Sequence, residues 1–305
     1  MTLDAYLRVR VDAINRFLEQ LGDRPDFRQE VPPVLREAMN YSLLAGGKRI
    51  RPLLTLAAAE AVSGQWEKWL PFAAAIELVH TYSLIHDDLP AMDDDDFRRG
   101  KPTNHKVFGE AMAILAGDAL LTHAFTLIAR AGREQDVDAD IVLQVMEELS
   151  WAAGPAGMVG GQVLDLRAAD GSGVPVEGDA ASLLEQIHRK KTAALIRACV
   201  RIGGLLGQAN AQQLHALSVY GLHLGLAFQI RDDLLDLTGE TALMGKTAGS
   251  DQRAGKLTYP RLFGVEQTVR LVQEHTEAAK QALQAVNIQG RWLLEIANRL
   301  AERLS

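Results

Sequence analysis

Two acidic clusters are the residues of this sequence best suited to chemistry. The first covers residues 87–93 and reads DDLPAMD, and the second covers residues 232–236 and reads DDLLD. Each ends a long apolar stretch with the periodicity of a helix. Protein Mg²⁺ sites combine one or two carboxylates with water and substrate phosphates. Two such clusters aimed at each other therefore predict an Mg²⁺ site that holds a diphosphate.

The spacing of the second cluster fits a helix. Asp232 and Asp236 are four residues apart, so they lie about 40° apart on one helical face. Without a cation they would be a like-charge pair, which destabilises a helix. The spacing predicts that both carboxylates converge on one metal ion.

The spacing of the first cluster does not fit an uninterrupted helix. Asp87 and Asp93 are six residues apart, which puts them about 120° away from each other on an ideal helix. Pro90 lacks an N–H group and disfavours helical geometry at the residue before it. We predict that the helix ends here and that residues 89–92 loop out, folding Asp93 back beside Asp87. The alternative is a solvated acidic loop, but the second cluster and the nearby basic residues favour a metal site.

Basic residues lie close to the acidic clusters and to a glycine pair. Residues 46–52 read GGKRIRP, where the glycines allow the backbone to approach a ligand closely. Pro52 falls in the first turn of the next predicted helix, whose N-terminus offers partial positive charge and N–H donors to a phosphate. Each of the other basic residues would, taken alone, be more often a surface charge. Those adjacent to the clusters or their loops are Arg98, Arg99, Lys191, Lys246 and Lys256.

Length and composition limit the class of protein. The chain has 305 residues, of which 48% are hydrophobic, and a net charge of −7. It can bury a sizeable core, and no segment marks a boundary, so we predict a single domain over residues 1–305. The negative charge does not favour binding to nucleic acid or to an anionic membrane. The single cysteine, Cys199, fits a small core residue in a reducing cytoplasm, where we expect the protein.

Apolar residues recur with helical periodicity along nearly the whole chain, which predicts an all-α fold. Residues 202–230 contain no Asp, Glu, Lys or Arg, but their glutamines, histidines and glycines favour a buried central helix over a membrane span. Gly and Pro mark loops at 22–31, 46–47, 64–69, 89–107, 171–178 and 239–255. The predicted helices cover residues 3–21, 33–44, 52–62, 70–88, 109–131, 138–168, 180–206, 211–237, 257–264, 267–286 and 290–304.

Three motifs together make the sequence resemble the trans-isoprenyl diphosphate synthase family, in its bacterial farnesyl diphosphate synthase type. They are GGKRIRP at 46–52, HTYSLIHDDLPAMD at 80–93 and DDLLD at 232–236. The two extra residues within the first acidic motif mark the bacterial type. The resemblance covers residues from about 41 to 260. It implies an all-α helical bundle around a deep central cavity, usually a homodimer.

The resemblance also implies a reaction. Dimethylallyl or geranyl diphosphate would ionise with the help of Mg²⁺, condense head-to-tail with isopentenyl diphosphate and lose a proton, giving (2E,6E)-farnesyl diphosphate. Closure of the loop at 239–255 would exclude water from the allylic cation. The sequence offers no obvious carboxylate free of metal as the base, so the released diphosphate would accept the proton. The implied metal ligands are Asp87, Asp88 and Asp93 for two Mg²⁺, and Asp232, Asp233 and Asp236 for a third.

The remaining polar residues divide between the two substrates by resemblance. Thr192 and Gln229 would point oxygens at the nascent carbocation. The alternatives without a function are a hydroxyl bonded back to its own helix for Thr192 and a hydrogen-bonded core amide for Gln229. His80 has the alternative of an ordinary histidine within a helix. The allylic diphosphate would be held by Arg98, Lys191, Lys246 and Lys256. The isopentenyl diphosphate would be held without metal by Lys48, Arg51, His80 and Arg99.

Product length depends on the helix before the first cluster. A chain anchored at Asp87 runs back past Ser83, about 6 Å below, and Tyr82, about 7.5 Å below. Ideal angles place Tyr82 to one side, so geometry alone does not make it the floor of the cavity. The resemblance does, because an aromatic residue five positions before the first Asp, followed by a small residue, is typical of C15 products. C10 and C20 products remain alternatives, as does a Tyr82 that only packs between helices.

Two other functions fit part of the pattern. A class I terpene cyclase also uses acidic motifs on an all-α fold, and Asp232, Asp236 and Glu240 have the spacing of its second metal site. A cyclase, however, has no need of Lys48 or a second diphosphate site. A noncatalytic subunit of a heteromeric synthase is the other alternative, and the intact acidic clusters argue against it.

Overall fold

The computed structural model describes residues 1–169, 180–238 and 257–302, which are almost entirely helical. This confirms the all-α prediction. The chain divides into two compact units, Met1–Leu56 with Trp66–Met146 and Ala57–Gln65 with Glu147–Ser305. The single domain inferred from composition stays a prediction.

The helices of the described residues are numbered in chain order. The first eight are α1 Leu3–Asp23, α2 Pro25–Glu30, α3 Pro33–Leu43, α4 Ile50–Ser63, α5 Leu70–Asp87, α6 Asn104–Phe108, α7 Glu110–Glu134 and α8 Ala139–Ala153. The others are α9 Met158–Ala169, α10 Ala180–His188, α11 Ala194–Leu206, α12 Ala211–Thr238, α13 Tyr259–Gln284 and α14 Arg291–Glu302. A 3₁₀ turn covers Glu67–Trp69, and a π turn, Arg189–Ala193, joins α10 to α11. Two short strands, β1 Phe97–Arg98 and β2 Lys101–Pro102, pair antiparallel.

The predicted helices are present, with two differences in how they are divided. The stretch predicted at 138–168 is two helices, α8 and α9, because Pro155 and two glycines fall between them. The stretch predicted at 180–206 is interrupted by the π turn. The two helices predicted at 257–264 and 267–286 are confirmed, because α13 consists of two helices that meet at a kink at Gly264, whose φ of 78° is not helical.

Three predicted loops contain regular structure, and the one at 64–69 includes the 3₁₀ turn. The loop at 22–31 includes α2, which starts at Pro25, a residue whose fixed φ suits a first helical position. The loop at 89–107 includes the strand pair and most of α6. In these last two segments glycines and prolines gave a loop signal, but Pro25 begins a helix and Gly100 and Pro102 belong to the hairpin.

In the first unit, α5 is the central helix. It is buried on nearly all sides, starts with Pro71 in its first turn and packs along α7. By length and composition α7 could also cross a membrane, and it is the one helix of the described ranges that meets this test. It contributes the small buried residues Ala113, Ala116 and Gly117 to the core, while Ile114 and Leu115 remain exposed.

In the second unit, α12 has the corresponding position. It packs against α11 and α13, and the hydroxyl of its buried Tyr220 donates to the carbonyl of Leu293 at 2.8 Å. The uncharged stretch 202–230 is divided between α11 and α12 and is mostly buried, so the prediction of a buried helix is confirmed. Cys199 is a buried core residue of α11, also as predicted.

Candidate active site

The first acidic cluster forms the predicted loop at the end of α5. The backbone N–H of Asp93 donates to the carbonyl of Asp87 at 2.9 Å. Within the loop, the N–H groups of Met92 and Asp94 donate to the carbonyl of Leu89 at 2.9 and 3.1 Å. The loop-out and the return of Asp93 to Asp87 are therefore confirmed at the level of the backbone, so these two aspartates project from neighbouring points of the chain.

Asp88, between them, is paired with Arg98. The Arg98 Nε lies 2.7 and 2.8 Å from the two carboxylate oxygens, and Asp88 is buried. Burial alone would lower the pKa of Arg98, but its hydrogen bond to Asp88 and the charge of Asp88 raise it overall. Asp88 thus neutralises and orients the arginine predicted to bind the allylic diphosphate; its role as a metal ligand stays a prediction.

The strand pair brings Arg98 and Arg99 to this loop. Arg98 pairs with Lys101, and the two residues between them, Arg99 and Gly100, have φ values of 55° and 76°. Positive φ at both central positions is characteristic of the tight hairpin turns that match the twist of paired strands. Thr103 then closes the segment by donating its hydroxyl to the carbonyl of Asp95 at 2.8 Å.

Arg99 folds over the glycine pair. Its Nη1 donates to the carbonyl of Gly46, and a Cβ added to Gly47 would lie 2.7 Å from the Arg99 Cζ. Both glycines have positive φ, 85° and 127°. Its backbone angle favours glycine at position 47, and a side chain there would displace the Arg99 guanidinium from the loop. Lys48, which follows, is exposed at the loop before α4.

Arg49 anchors the same loop to the core. Its Nη1 lies 2.7 Å from the Glu77 carboxylate, and both side chains are almost completely buried. Its other nitrogens donate to Asn15 and to the carbonyl of Leu43, each at 2.9 Å. Sequence reasoning did not identify this pair. The signal was available, since Glu77 is the one acidic residue in the otherwise apolar sequence 70–79.

Arg51 and His80 form the centre of a cluster of positive charge. The Arg51 Nη1 lies 3.1 Å from the His80 Nε2; arginine can only donate, so Nε2 accepts and the ring proton is on Nδ1. Loss of hydration lowers the pKa of His80 well below its usual value, and Arg51, Arg99, Arg98 and Arg49 lower it further. His80 is therefore neutral at physiological pH, and four guanidinium groups act on one position. A concentration of positive charge in an acidic protein suits a polyanion bound without metal.

In the second unit, the second acidic cluster lies in the last turns of α12. Asp232 is half-buried, and Asp233 and Asp236 are buried. The Asp233 carboxylate accepts the Tyr259 backbone N–H at 3.0 Å and the Gln229 amide at 3.3 Å. Asp233 thereby connects α12 to the start of α13. Whether in addition it binds metal, as the resemblance implies, is part of the proposal below.

The π turn carries the two residues predicted to act on the allylic substrate. Lys191 Nζ lies 2.5 Å from the Asp165 carboxylate of α9. The Thr192 hydroxyl donates to the Gln229 carbonyl oxygen at 2.7 Å, so Thr192 is not back-bonded to its own helix. The structure thus brings Thr192 and Gln229 together, and through Gln229 links both to Asp233.

Two glycines make room for this turn. A Cβ on Gly161 of α9 would lie 2.2 Å from the backbone nitrogen of Lys191. A Cβ on Gly225 of α12 would lie 2.5 Å from the Ala193 Cα. A π turn is wider than an α-helical turn and is often found at functional sites. The flanking helices accommodate it here because both lack a side chain at the point of contact.

His188, at the end of α10, is a buried residue that sequence reasoning missed. Its ring lies 5.2 Å from the Tyr259 ring, and its Nε2 lies 3.6 Å from the Asp233 carboxylate. Burial lowers the pKa of His188 to about 3. The neutral imidazole therefore fills the space beside Asp233 without compensating its charge.

Tyr82, predicted to set product length, is buried on α5. Its ring stands edge-on to His86 with 5.7 Å between ring centres, and burial together with Asp87 raises its pKa to about 12. His86 Nε2 lies 3.0 Å from the carbonyl of Ile114 on α7. The Ser83 hydroxyl donates to the carbonyl of His80 at 2.9 Å. Contact with His86 fixes one side of the Tyr82 ring, and its role in product length stays a prediction.

The carboxylates fit Mg²⁺ only as partial sites. Across residues 1–169, 180–238 and 257–302, no three acidic, histidine or cysteine side chains are arranged to hold a metal by themselves. Mg²⁺ binds few carboxylates together with water and phosphate oxygens, so the acidic clusters would supply only part of its ligands. Lys246, Lys256 and Glu240 lie outside the described residues.

The chain is similar to known proteins over most of its length. The family described as polyprenyl synthetase matches residues 32–289. The chain is 48% identical to farnesyl diphosphate synthase of Geobacillus stearothermophilus over 291 residues, 95% of this chain and 93% of that protein. It is 46% identical to geranylgeranyl pyrophosphate synthase 11 of Arabidopsis thaliana over 273 residues, 89% of this chain and 75% of that protein.

A solved structure gives the same result. It is geranyltransferase from Helicobacter pylori complexed with magnesium and isoprenyl diphosphate, which is 32% identical, covers 98% of this chain and 97% of its own, and has a TM-score of 0.80. The fold is all-helical and has two acidic clusters, each beside basic residues. These features define a class of helical proteins that act on diphosphate substrates. Within that class, the chain belongs to the polyprenyl synthetase family.

Proposed function

We propose that the chain is a trans-prenyltransferase that makes farnesyl diphosphate from isopentenyl diphosphate and dimethylallyl or geranyl diphosphate. The observation that carries this proposal is the arginine cluster around neutral His80, in the same unit as the first acidic loop. The proposed reaction joins two diphosphate substrates, one bound through metal and one bound without it. It therefore needs an acidic metal site and also a metal-free cluster of positive charge. A terpene cyclase binds one diphosphate and would have no use for the Arg51–His80 pair.

The first substrate, the allylic diphosphate, is proposed to bind at the acidic clusters with Mg²⁺. The ligands would be Asp87 and Asp93 of the loop and Asp232 of α12, with Asp88, Asp233 and Asp236 beside them. When bound, Mg²⁺ would neutralise the charge that develops on the departing diphosphate. The relative in complex with magnesium and isoprenyl diphosphate supports this assignment, and the number of ions, three by resemblance, is part of the proposal.

Protein side chains would stabilise the charges that Mg²⁺ does not neutralise. Arg98 and Lys191, each already held in place by a carboxylate, would also contact the diphosphate, which places positive charge at the departing oxygen before the bond breaks. The Thr192–Gln229 pair would turn oxygen lone pairs towards the allylic cation. The released diphosphate would take the final proton. Lys246 and Lys256 are proposed to add to the grip on the diphosphate.

The second substrate, isopentenyl diphosphate, is proposed to bind at Lys48, Arg51, His80 and Arg99. Gly47 would allow the guanidinium of Arg99 to stay close to the loop, and Arg49 would keep the loop fixed on the core. Preorganised positive charge of this kind binds an anion without paying to assemble the site. Because His80 is neutral, it would serve as a hydrogen-bonding group and not as a charge.

Product length and assembly are further parts of the proposal. Tyr82 would stop the chain at fifteen carbons, with Ser83 leaving room for a geranyl group, and the C10 and C20 products are the alternatives. A homodimer is supported by the exposed Ile114 and Leu115 on the apolar helix α7. The single cysteine supports the cytoplasm as its location.

The test is a product assay. Purified protein is incubated with dimethylallyl and isopentenyl diphosphates and Mg²⁺, and the dephosphorylated products are separated by chain length. We expect farnesol as the main product. Mainly geraniol or geranylgeraniol would keep the enzyme class and change the product, whereas a cyclic hydrocarbon formed from an added prenyl diphosphate would contradict the proposal.

A further inference from the structure

Gln162 on α9 is a buried polar residue to which neither the resemblance nor the site described above gives a role. It is 9% exposed, and neither its amide oxygen nor its amide nitrogen has a hydrogen-bond partner within the described part of the chain. Buried polar groups in native proteins are nearly always hydrogen-bonded, so an orphaned amide needs a partner from outside the folded chain. That partner must lie within reach of the Gln162 side chain.

Gln162 lies beside the π turn that carries Lys191. Its neighbour Gly161 packs directly against the backbone of Lys191, where even a Cβ would collide at 2.2 Å. Asp165, three residues further, holds the Lys191 ammonium at 2.5 Å. Residues three apart lie on one side of a helix, so Gln162 and Asp165 share the face of α9 that packs on the π turn. The exposed Val163 lies on a different face.

We infer that Gln162 binds the diphosphate of the allylic substrate, with its amide N–H group donating to a diphosphate oxygen beside Lys191. This inference rests on the proposed function, which places that diphosphate at Lys191. The amide is neutral, so it can approach the anion next to Asp165 without adding to the charge there. In the absence of substrate the unpaired amide costs stability, a cost that substrate binding removes.

Two variants separate the parts of this inference. Gln162→Leu removes both amide groups at similar volume, and Gln162→Glu keeps the shape but replaces the donor with an acceptor. Gln144→Leu on α8 is the matched control, because the Gln144 amide is already bonded to Asp140 at an exposed position. The probes are geranyl thiolodiphosphate, an analogue that does not ionise, and isopentenyl diphosphate, each titrated separately in Mg²⁺.

The expected result is selective. Gln162→Leu should weaken binding of the thiolodiphosphate by about 10- to 100-fold, as for the loss of a hydrogen bond to a charged group. Gln162→Glu should weaken it at least as much. Binding of isopentenyl diphosphate should change by less than about twofold in both variants, and Gln144→Leu should match the wild type. The melting temperature of ligand-free Gln162→Leu should equal or exceed that of the wild type, because an unpaired buried amide has been removed.

Several results would overturn the inference. Wild-type affinity in Gln162→Leu would show that the amide does not touch the substrate, and wild-type affinity in Gln162→Glu would show that it does not act as a donor. A clear fall in the melting temperature of Gln162→Leu would show that the amide is bonded inside the protein through water. A wild-type protein that does not bind the thiolodiphosphate would refute the proposed function itself, and the two failures are thus distinguishable.

Discussion

Replacing Arg51 by Ala should weaken the binding of isopentenyl diphosphate and leave the binding of the allylic substrate unchanged. Arg51 donates to His80 at 3.1 Å and is one of four arginines that act on that histidine, so its loss removes a charge-assisted contact but leaves Arg49, Arg98 and Arg99. Such a contact contributes about 1.5–3 kcal/mol, which corresponds to an increase of roughly 10- to 100-fold in KM for isopentenyl diphosphate. KM for the allylic substrate should change by less than about twofold.

The assay is initial rate as a function of each substrate at saturation of the other. Arg270→Ala is the control, because Arg270 is exposed and is paired with Glu266 on the same helix. Of the four arginines, Arg51 lowers the pKa of His80 the most, so the pKa of His80 should rise when Arg51 is removed. An equal increase in KM for both substrates would refute the separate metal-free site.

Three further outcomes test other parts of the site. Glu77→Ala should lower the free energy of unfolding by about 3–5 kcal/mol, because Arg49 would remain buried without its counter-ion; a loss under about 1 kcal/mol in urea unfolding would contradict this. Tyr82→Ala should give products of C20 or longer, and an unchanged C15 product would mean that another helix forms the floor. Asp87→Ala should lower kcat by several orders of magnitude with an unchanged circular dichroism spectrum, and near-normal turnover would exclude Asp87 as a metal ligand.

The acidic loop was predictable from sequence because its cause is local. Pro90 ends the helix within the motif itself, and the six-residue spacing then requires the chain to fold back, as the Asp93 to Asp87 hydrogen bond shows. The glycine pair was predictable for the same reason, since a change of backbone conformation needs glycine at that position. The division of the chain into helices also followed from periodicity, apart from the breaks at the π turn and between α8 and α9.

The π turn was not predictable because its cause is distant in sequence. Residues 180–206 have a regular apolar period, and nothing within them marks an insertion at 189–193. The turn is accommodated by Gly161 and Gly225, which belong to two other helices. The Arg49–Glu77 pair is similar, since its members are far apart in sequence and meet only in the fold. Tertiary packing decides such features, and a single sequence does not display it.

The central claim is that this protein has two diphosphate sites, one that needs Mg²⁺ and one that does not. The most direct measurement is isothermal titration of geranyl thiolodiphosphate and of isopentenyl diphosphate, each with Mg²⁺ and with EDTA in its place. We predict that EDTA abolishes binding of the thiolodiphosphate and leaves the affinity for isopentenyl diphosphate within about twofold, because the proposed site for the latter consists of basic residues and a neutral histidine and contains no metal. Loss of both ligands in EDTA, or retention of both, would contradict the claim.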